Sequence, residues 1–239
     1  MNSVYIVWQD EVTRLWHPVA KLTHLDNGYR LNYTRGSRSS IRFKPFTRMD
    51  DLSKVYESKE LFPVFKNRIM PSSRPEFRNI INWLGMQEDS FDPLLYLAAS
   101  GGARSTDSYM VVPVPEGIDG KYTIQFLVSG IRYLEDKIID RIDQIKTPMA
   151  IDYDFEINNP VDKNAIALYL NNKTHIGYCP RYLAGDFKKL IQSDQIDSAE
   201  FVIDKINADA PSRYKALCSF TTTWPKDFVP FISDEYIAI

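Results

Sequence analysis

Apolar and polar side chains alternate in short runs over the first forty-five residues, a pattern typical of strands that are buried on one face. The predicted strands are 4–8, 14–22, 29–34 and 41–45. Asn27-Gly28 separates the second from the third and is a strong hairpin signal, because both residues tolerate positive φ. The chain therefore begins with a small antiparallel β unit.

Residues 49–98 change to a helical pattern. Apolar residues fall near helical spacing at 61–70, 77–84 and 94–99, and 50–57 predicts a further short helix. Ser73 is placed to cap the helix that carries 77–84, and Asp92-Pro93 opens the one that follows. A helical layer is therefore expected after the opening strands.

The stretch 100–106 is rich in small residues and marks a boundary or a mobile loop. After it, the predicted strands are 109–113, 123–128, 150–157, 165–170, 201–206 and 214–222, and the predicted helices are 134–145 and 180–192. Five or six strands with two short helices suit a small, partly closed barrel. The predicted fold is mainly β with short helices (α+β). Its expected domains are 1–100, a linker with its first strand at 101–120, and 121–232.

The net charge limits the classes of partner that the surface can bind. The 239 residues carry 29 Lys plus Arg against 31 Asp plus Glu, a net charge of −2, which excludes a globally basic nucleic-acid coat but leaves room for a local basic face. The first part of the chain offers one, in Arg35, Arg38, Arg42 and Lys44. On a hairpin face these side chains would track a nucleic-acid backbone. The alternative is an ordinary solvated face.

The sequence offers little chemistry for catalysis. Two cysteines, Cys179 and Cys218, are too few for a disulfide framework, so a reducing, cytoplasmic setting is expected. No apolar stretch approaches the roughly 18 residues of a membrane helix. The three histidines lack metal-ligand spacing, and phosphate-loop, nucleophile-elbow and kinase motifs are absent. Neither an enzyme nor a cofactor nor a metal is expected.

Three acidic residues, Asp152, Asp154 and Glu156, share one face of a predicted strand because they are spaced by two. Such a row either holds a divalent ion or blunts a solvated edge strand with charge. The second interpretation is preferred, and a metal-dependent nuclease is kept only as a third class of function.

Three blocks of residues resemble the HIRAN domain over 121–190. They read FLVSGIRY at 126–133, NNPVDKNAIAL at 158–168 and HIGYCPRYLA at 175–184. With LFPVFKNR at 61–68, the whole chain looks like a class of bacterial HIRAN-containing proteins. The resemblance implies an OB-like β-barrel. In fork-remodelling helicase-like proteins this domain captures a single-stranded DNA end with a free 3′-hydroxyl.

The resemblance also implies DNA-binding residues. These are Arg132, Tyr133, Asn159, Val161, Asp162, Asn164, Tyr178 and Arg181. Turn chemistry at 159–164 can present Asp162 to a terminal 3′-hydroxyl, and the same carboxylate would repel a 3′-phosphate. Tyr133 offers a stacking face worth about 1–3 kcal/mol per base, and Arg132 and Arg181 offer cations for phosphate. Each residue also has a purely structural interpretation.

One position departs from the family pattern, since Val161 stands where the ligand-binding versions carry an aromatic residue. Residues 101–239 are also acidic, with 15 basic and 20 acidic side chains. The first ~95 residues resemble the N-terminal subdomain of HipA-type toxin kinases, whose detached form can act as an antitoxin, but the kinase core is absent.

Two functions therefore stay open. The first is a non-catalytic DNA-binding module that captures single-stranded DNA or DNA 3′ ends in repair or phage and plasmid defence. The alternative is a protein-interaction or antitoxin-like component that has a co-encoded partner and no nucleic-acid binding.

Overall fold

A computed structural model describes residues 2–104, 106–171, 173–194 and 198–239. The chain divides into two compact units. The first consists of Met1–Ile81, Gln87–Val114 and Val229–Ile239, and the second of Asn82–Met86 and Pro115–Phe228. Each unit is built on one antiparallel sheet with short helices, so the mainly β fold predicted from the sequence is confirmed.

The sheet of the first unit has five strands in the order β4-β3-β2-β1-β5. They are β1 (Ser3–Gln9), β2 (Trp16–Leu25), β3 (Gly28–Tyr33), β4 (Tyr56–Ser58) and β5 (Tyr109–Pro113). Leu25 pairs with Gly28, which confirms the hairpin between β2 and β3. Gly28 has a φ of 140°, and a Cβ there would lie 2.2 Å from the Ser58 carbonyl oxygen. Glycine is therefore needed for β4 to approach.

Three helices belong wholly or largely to this unit: α1 (Pro63–Lys66), α2 (Glu76–Trp83) and α3 (Pro93–Ser100). The Asp92 side chain accepts hydrogen bonds from the backbone N–H groups of Leu94 and Leu95, as its predicted capping role requires. In the core, the Tyr33 hydroxyl donates to the Met49 carbonyl and accepts from the Phe46 N–H, both at 2.8 Å. The loop that follows β3 is thereby fixed against the sheet.

Two predicted elements near this loop are wrong. Residues 41–45 form no strand, because Phe43 and Phe46 both turn into the aromatic core and leave the chain irregular. Residues 50–57 form no helix, since Asp51 accepts the Ser53 N–H in a local turn, and β4 occupies the end of the segment.

The basic run is consequently not a hairpin face. Arg35–Arg38 is a single 3₁₀ turn, and Arg38 and Lys44 are exposed outside any strand. The Arg42 guanidinium binds both carboxylate oxygens of the buried Asp10 at 2.8–3.0 Å. This contact lowers the pKa of Asp10 well below its usual range. Arg42 therefore contributes to the fold, and its charge is already paired.

The small-residue stretch after α3 is held by Arg68, whose side chain is 3% exposed. Its guanidinium donates to the Gly102 carbonyl at 2.9 Å and to the Asp107 carboxylate at 2.6 Å. Ser105 lies outside the described residues. Because β5 pairs with β1, residues up to Val114 belong to the first unit. The sequence predicted a linker and an entry strand over 101–120.

The sheet of the second unit has six strands in the order β6-β11-β10-β7-β8-β9. They are β6 (Lys121–Leu127), β7 (Met149–Phe155), β8 (Ile166–Leu170), β9 (Thr174–Tyr178), β10 (Ala199–Ile206) and β11 (Ala216–Thr223), with helices α4 (Asp136–Asp143) and α5 (Arg181–Ile191). Phe187 of α5 packs against Phe220 with ring centroids 4.2 Å apart. The helix thus covers an aromatic core on the sheet.

The two outer strands of this sheet meet at one point. Ser129, just after β6, exchanges two backbone hydrogen bonds of 2.9 Å with Tyr178 of β9. Gly177 makes this approach sterically feasible, since a Cβ on it would lie 2.5 Å from the Ser129 carbonyl oxygen. The sheet is therefore curled and joined by one bridge, and not by a continuous ladder.

No helix in the described parts of the chain is long and apolar enough to cross a membrane.

Candidate nucleic-acid interface

A short 3₁₀ turn, Ile131–Tyr133, follows the bridge and carries two of the predicted DNA-binding residues. Gly130 enters it with a φ of 87°, and Ile131 is buried beneath it. Arg132 lies over the Tyr133 ring, with its guanidinium carbon 4.5 Å from the ring centroid, and also donates to the Tyr133 hydroxyl. Tyr133 is 76% exposed. This "arginine–tyrosine turn" therefore presents an exposed ring with a cation beside it.

Residues 156–165, between β7 and β8, form what we name the "aspartate loop". The Asn159 Oδ1 accepts the backbone N–H groups of Val161 at 2.9 Å and Asp162 at 3.1 Å. One oxygen of Asp162 in turn accepts the Asn164 N–H at 2.9 Å. These are the local hydrogen bonds that Asn and Asp make in turns. They fix the position of the Asp162 carboxylate.

The second oxygen of Asp162 faces Arg181, the first residue of α5. Its Oδ2 lies 3.6 Å from the Arg181 Nε, which is an ion-pair distance but too long for a hydrogen bond. The Asp162 side chain is 16% exposed, and that of Arg181 is 50% exposed. Asp162 is thus partly buried and bound to its own loop by one oxygen. The other oxygen retains lone pairs that can accept a ligand hydroxyl.

A third group of contacts centres on Glu156, at the start of the aspartate loop. Its Oε2 accepts a hydrogen bond from the Asn159 Nδ2 at 2.8 Å and from the Tyr178 hydroxyl at 3.2 Å. Burial, and then the Glu156 charge, raises the pKa of Tyr178. The sequence placed Glu156 only in an acidic row and missed this role. Asn159, three positions after Glu156, was the sequence signal from which this contact could have been predicted.

His175 packs behind Tyr178, with ring centroids 4.7 Å apart. Its Nε2 is buried and has no hydrogen-bond partner among the described residues. Burial lowers the pKa of His175, and the charge of Glu156 opposes that shift. Burial therefore favours the uncharged imidazole, which packs behind Tyr178.

The structure brings most of the predicted residues into one region. The aspartate loop carries Asn159, Val161, Asp162 and Asn164; Tyr178 and Arg181 flank it, and the bridge at Ser129 attaches the turn with Arg132 and Tyr133. Val161 is 75% exposed and takes part through its backbone N–H. Arg35, Arg38, Arg42 and Lys44 belong to the first unit.

The row Asp152, Asp154 and Glu156 does not form a metal site. Within the described ranges, no group of three or more His, Cys, Asp or Glu side chains is arranged to hold a metal ion. Cys179 and Cys218 are both buried and free, and burial raises the pKa of each thiol.

The second unit is a small β domain, built on one curled antiparallel sheet with polar turns where its outer strands meet. Residues 121–224 match the HIRAN domain family, and this part of the chain is a HIRAN domain.

Two solved structures are similar to part of the chain. One is a protein from Lactobacillus plantarum, with 19% identity and a TM-score of 0.34 over 44% of this chain and 100% of that chain. The other is the HIRAN domain of human HLTF, with 20% identity and a TM-score of 0.35 over 48% of this chain and 85% of that chain. No curated protein matches the chain.

Proposed function

We propose that this protein is a non-catalytic DNA-binding module whose HIRAN domain holds the 3′-terminal nucleotide of a single strand. The observation that carries the proposal is the partly buried Asp162, with one oxygen bound to its own loop and the other 3.6 Å from Arg181. The lone pairs of this second oxygen accept a hydrogen bond from the 3′-hydroxyl. Arg181 binds the adjoining phosphodiester, and the exposed ring of Tyr133 stacks on a base.

The carboxylate also supplies the selectivity. A 3′-phosphate would bring negative charge to Asp162, and two unit charges at 4 Å repel by about 4 kcal/mol at the effective dielectric constant of a protein surface. Arg181 offsets part of that repulsion, because its positively charged guanidinium lies 3.6 Å from the Asp162 Oδ2. A preference of at least tenfold for the hydroxyl, about 1.4 kcal/mol, is therefore expected.

The affinity should be modest and strongly dependent on salt. Val161 provides no aromatic platform, and residues 101–239 carry 15 basic against 20 acidic side chains. Each phosphate that a cation neutralises on single-stranded DNA contributes about −0.7 to the slope of log K against log salt. Exposed Arg38 and Lys44 are proposed to form a separate basic surface on the first unit. The proposed setting is repair or defence against phage and plasmids.

Fluorescence anisotropy at about 50 mM salt tests the proposal, since phosphate contacts count most there. The ligands are one single-stranded oligonucleotide with a 3′-hydroxyl and the same strand with a 3′-phosphate. The wild type should prefer the hydroxyl, and Asp162→Asn should lose most of that preference. Asp154→Asn, which changes an exposed carboxylate on β7, is the matched control. Equal or undetectable binding of the two strands by the wild type would remove the proposal.

A second candidate function is favoured by the apolar surface of the aspartate loop. Val161 is 75% exposed and Ile157 is 67% exposed, and such side chains suit contact with a protein. On this alternative the protein is a regulatory, antitoxin-like component with a co-encoded partner. It predicts a stable stoichiometric complex when both genes are expressed together. Val161→Asp should weaken that complex, and a purified protein that carries only nucleic acid would count against the alternative.

A further inference from the structure

A continuous series of hydrogen bonds connects the two halves of the HIRAN site. Ser129, next to the arginine–tyrosine turn, is paired with Tyr178 through two backbone hydrogen bonds of 2.9 Å. The Tyr178 hydroxyl donates to Glu156, which also accepts from Asn159. Asn159 then accepts the N–H of Asp162 at 3.1 Å. The Glu156 carboxylate thus joins the side chains of the two halves.

Packing reinforces the same connection. A Cβ on Gly130 would lie 3.3 Å from Cδ2 of Tyr178, so the ring fits closely against the residue that begins the turn. His175 supports the Tyr178 ring from its own strand, β9. A displacement of Tyr178 would therefore shift the turn through packing and the aspartate loop through the hydrogen bond of the Tyr178 hydroxyl.

Glu156 differs in this respect from the other acids of its row. Asp152 and Asp154 are exposed, whereas Glu156 is half-buried and accepts hydrogen bonds from two different elements. Hydrogen bonds to a charged acceptor are roughly twice as strong as neutral ones. Without this carboxylate, the Asn159 amide and the Tyr178 hydroxyl would lose their common acceptor.

We propose that Glu156 is a positioning residue that couples the arginine–tyrosine turn to the aspartate loop, so that both halves bind the terminal nucleotide together. The proposal rests on the proposed 3′-end binding. Glu156 itself touches no nucleotide. It acts through Asn159, which orients Asp162, and through Tyr178, which is attached to the turn.

Hydrogen exchange in the ligand-free protein tests the positioning role without any DNA. In Glu156→Gln the side-chain carbonyl oxygen can still accept from both donors but carries no charge, so both hydrogen bonds become weaker. The Asp162 N–H should then exchange about tenfold faster than in the wild type. Asp154→Asn should leave the rate within twofold. An unchanged rate in Glu156→Gln would overturn the proposal. If that variant fails to fold, Tyr178→Phe removes one donor alone and should raise the rate severalfold, and no change in that variant would overturn the proposal equally.

Binding then separates positioning from a merely structural role. Glu156→Gln should lower affinity for the 3′-hydroxyl strand about tenfold and move the ratio of hydroxyl to phosphate affinities toward one. If both affinities fall and their ratio stays at the wild-type value, Glu156 has a structural role only. If the wild type binds neither strand, the 3′-end proposal fails, and the exchange rates still decide whether Glu156 orders the loop.

Discussion

Replacement of Gly177 by alanine tests how the sheet of the HIRAN domain is closed. This glycine has a φ of 133°, and a Cβ there would lie 2.5 Å from the Ser129 carbonyl oxygen and 2.6 Å from a Val128 methyl group. The Ser129 oxygen is backbone and accepts one of the two hydrogen bonds that join the outer strands. The new methyl group cannot be accommodated without separating Ser129 from Tyr178.

The magnitude follows from two costs. A non-glycine residue in such a backbone conformation costs about 1–3 kcal/mol. Loss of the two hydrogen bonds of the bridge adds about 1 kcal/mol each. Gly177→Ala should therefore reduce the free energy of unfolding of the second unit by about 3–5 kcal/mol. Because Tyr178 carries the contact to Glu156, the variant should also lose binding of 3′-hydroxyl DNA.

Urea denaturation followed by hydrogen exchange at Ser129 and Tyr178 measures the effect. The matched control is Gly185→Ala, since Gly185 lies in α5 with nothing within 4 Å of a new Cβ. Alanine in a helix is favoured over glycine by about 0.5–1 kcal/mol, so this control should be slightly more stable than the wild type. Equal stability of the two variants would refute the steric reasoning.

Two further predictions concern buried polar groups. Arg68→Ala leaves the Asp107 carboxylate without its ion-pair partner at 2.6 Å and should destabilise the first unit by about 3–5 kcal/mol in urea denaturation. The exposed Arg74→Ala should change stability by less than about 0.5 kcal/mol, and similar losses in both variants would contradict the role of Arg68. Burial lowers the pKa of His175 in the folded state below the unfolded value of about 6.5. The stability that the neutral imidazole contributes is therefore present above the unfolded pKa and is lost as pH falls through the folded pKa. The midpoint of urea unfolding should fall on acidification from pH 7.5 to 5.5, and His175→Phe should flatten that dependence; an unaltered pH profile in the variant would show that another group is responsible.

Local signals in the sequence predicted the structure correctly where a short segment determines its own conformation. The Asn27-Gly28 hairpin, the Asp92 cap and the turn at 159–164 all use side chains that bond to backbone a few residues away. The three HIRAN blocks placed the candidate site for the same reason, since each block is continuous in the chain.

Long-range contacts account for what the sequence did not predict. Residues 41–45 alternate like a strand, but the hydrogen bond that the Phe46 N–H donates to the Tyr33 hydroxyl and the pairing of Arg42 with Asp10 favour an irregular path. Strand β9 was missed because Gly177 interrupts its alternation, and its partner β8 supplies the pairing. The role of Glu156 depends on Tyr178, which lies 22 positions away.

We propose that a DNA 3′ terminus binds at Asp162. An NMR titration of the full chain with a short single-stranded oligonucleotide ending in a 3′-hydroxyl tests it most directly, because the Asn164 N–H is bonded to the Asp162 carboxylate and reports on it. We predict that the largest shifts occur at Asn164, at the Arg181 Nε–H and in the arginine–tyrosine turn, and that a 3′-phosphate on the same strand reduces them. Shifts confined to other surfaces, or identical shifts with both strands, would contradict the claim.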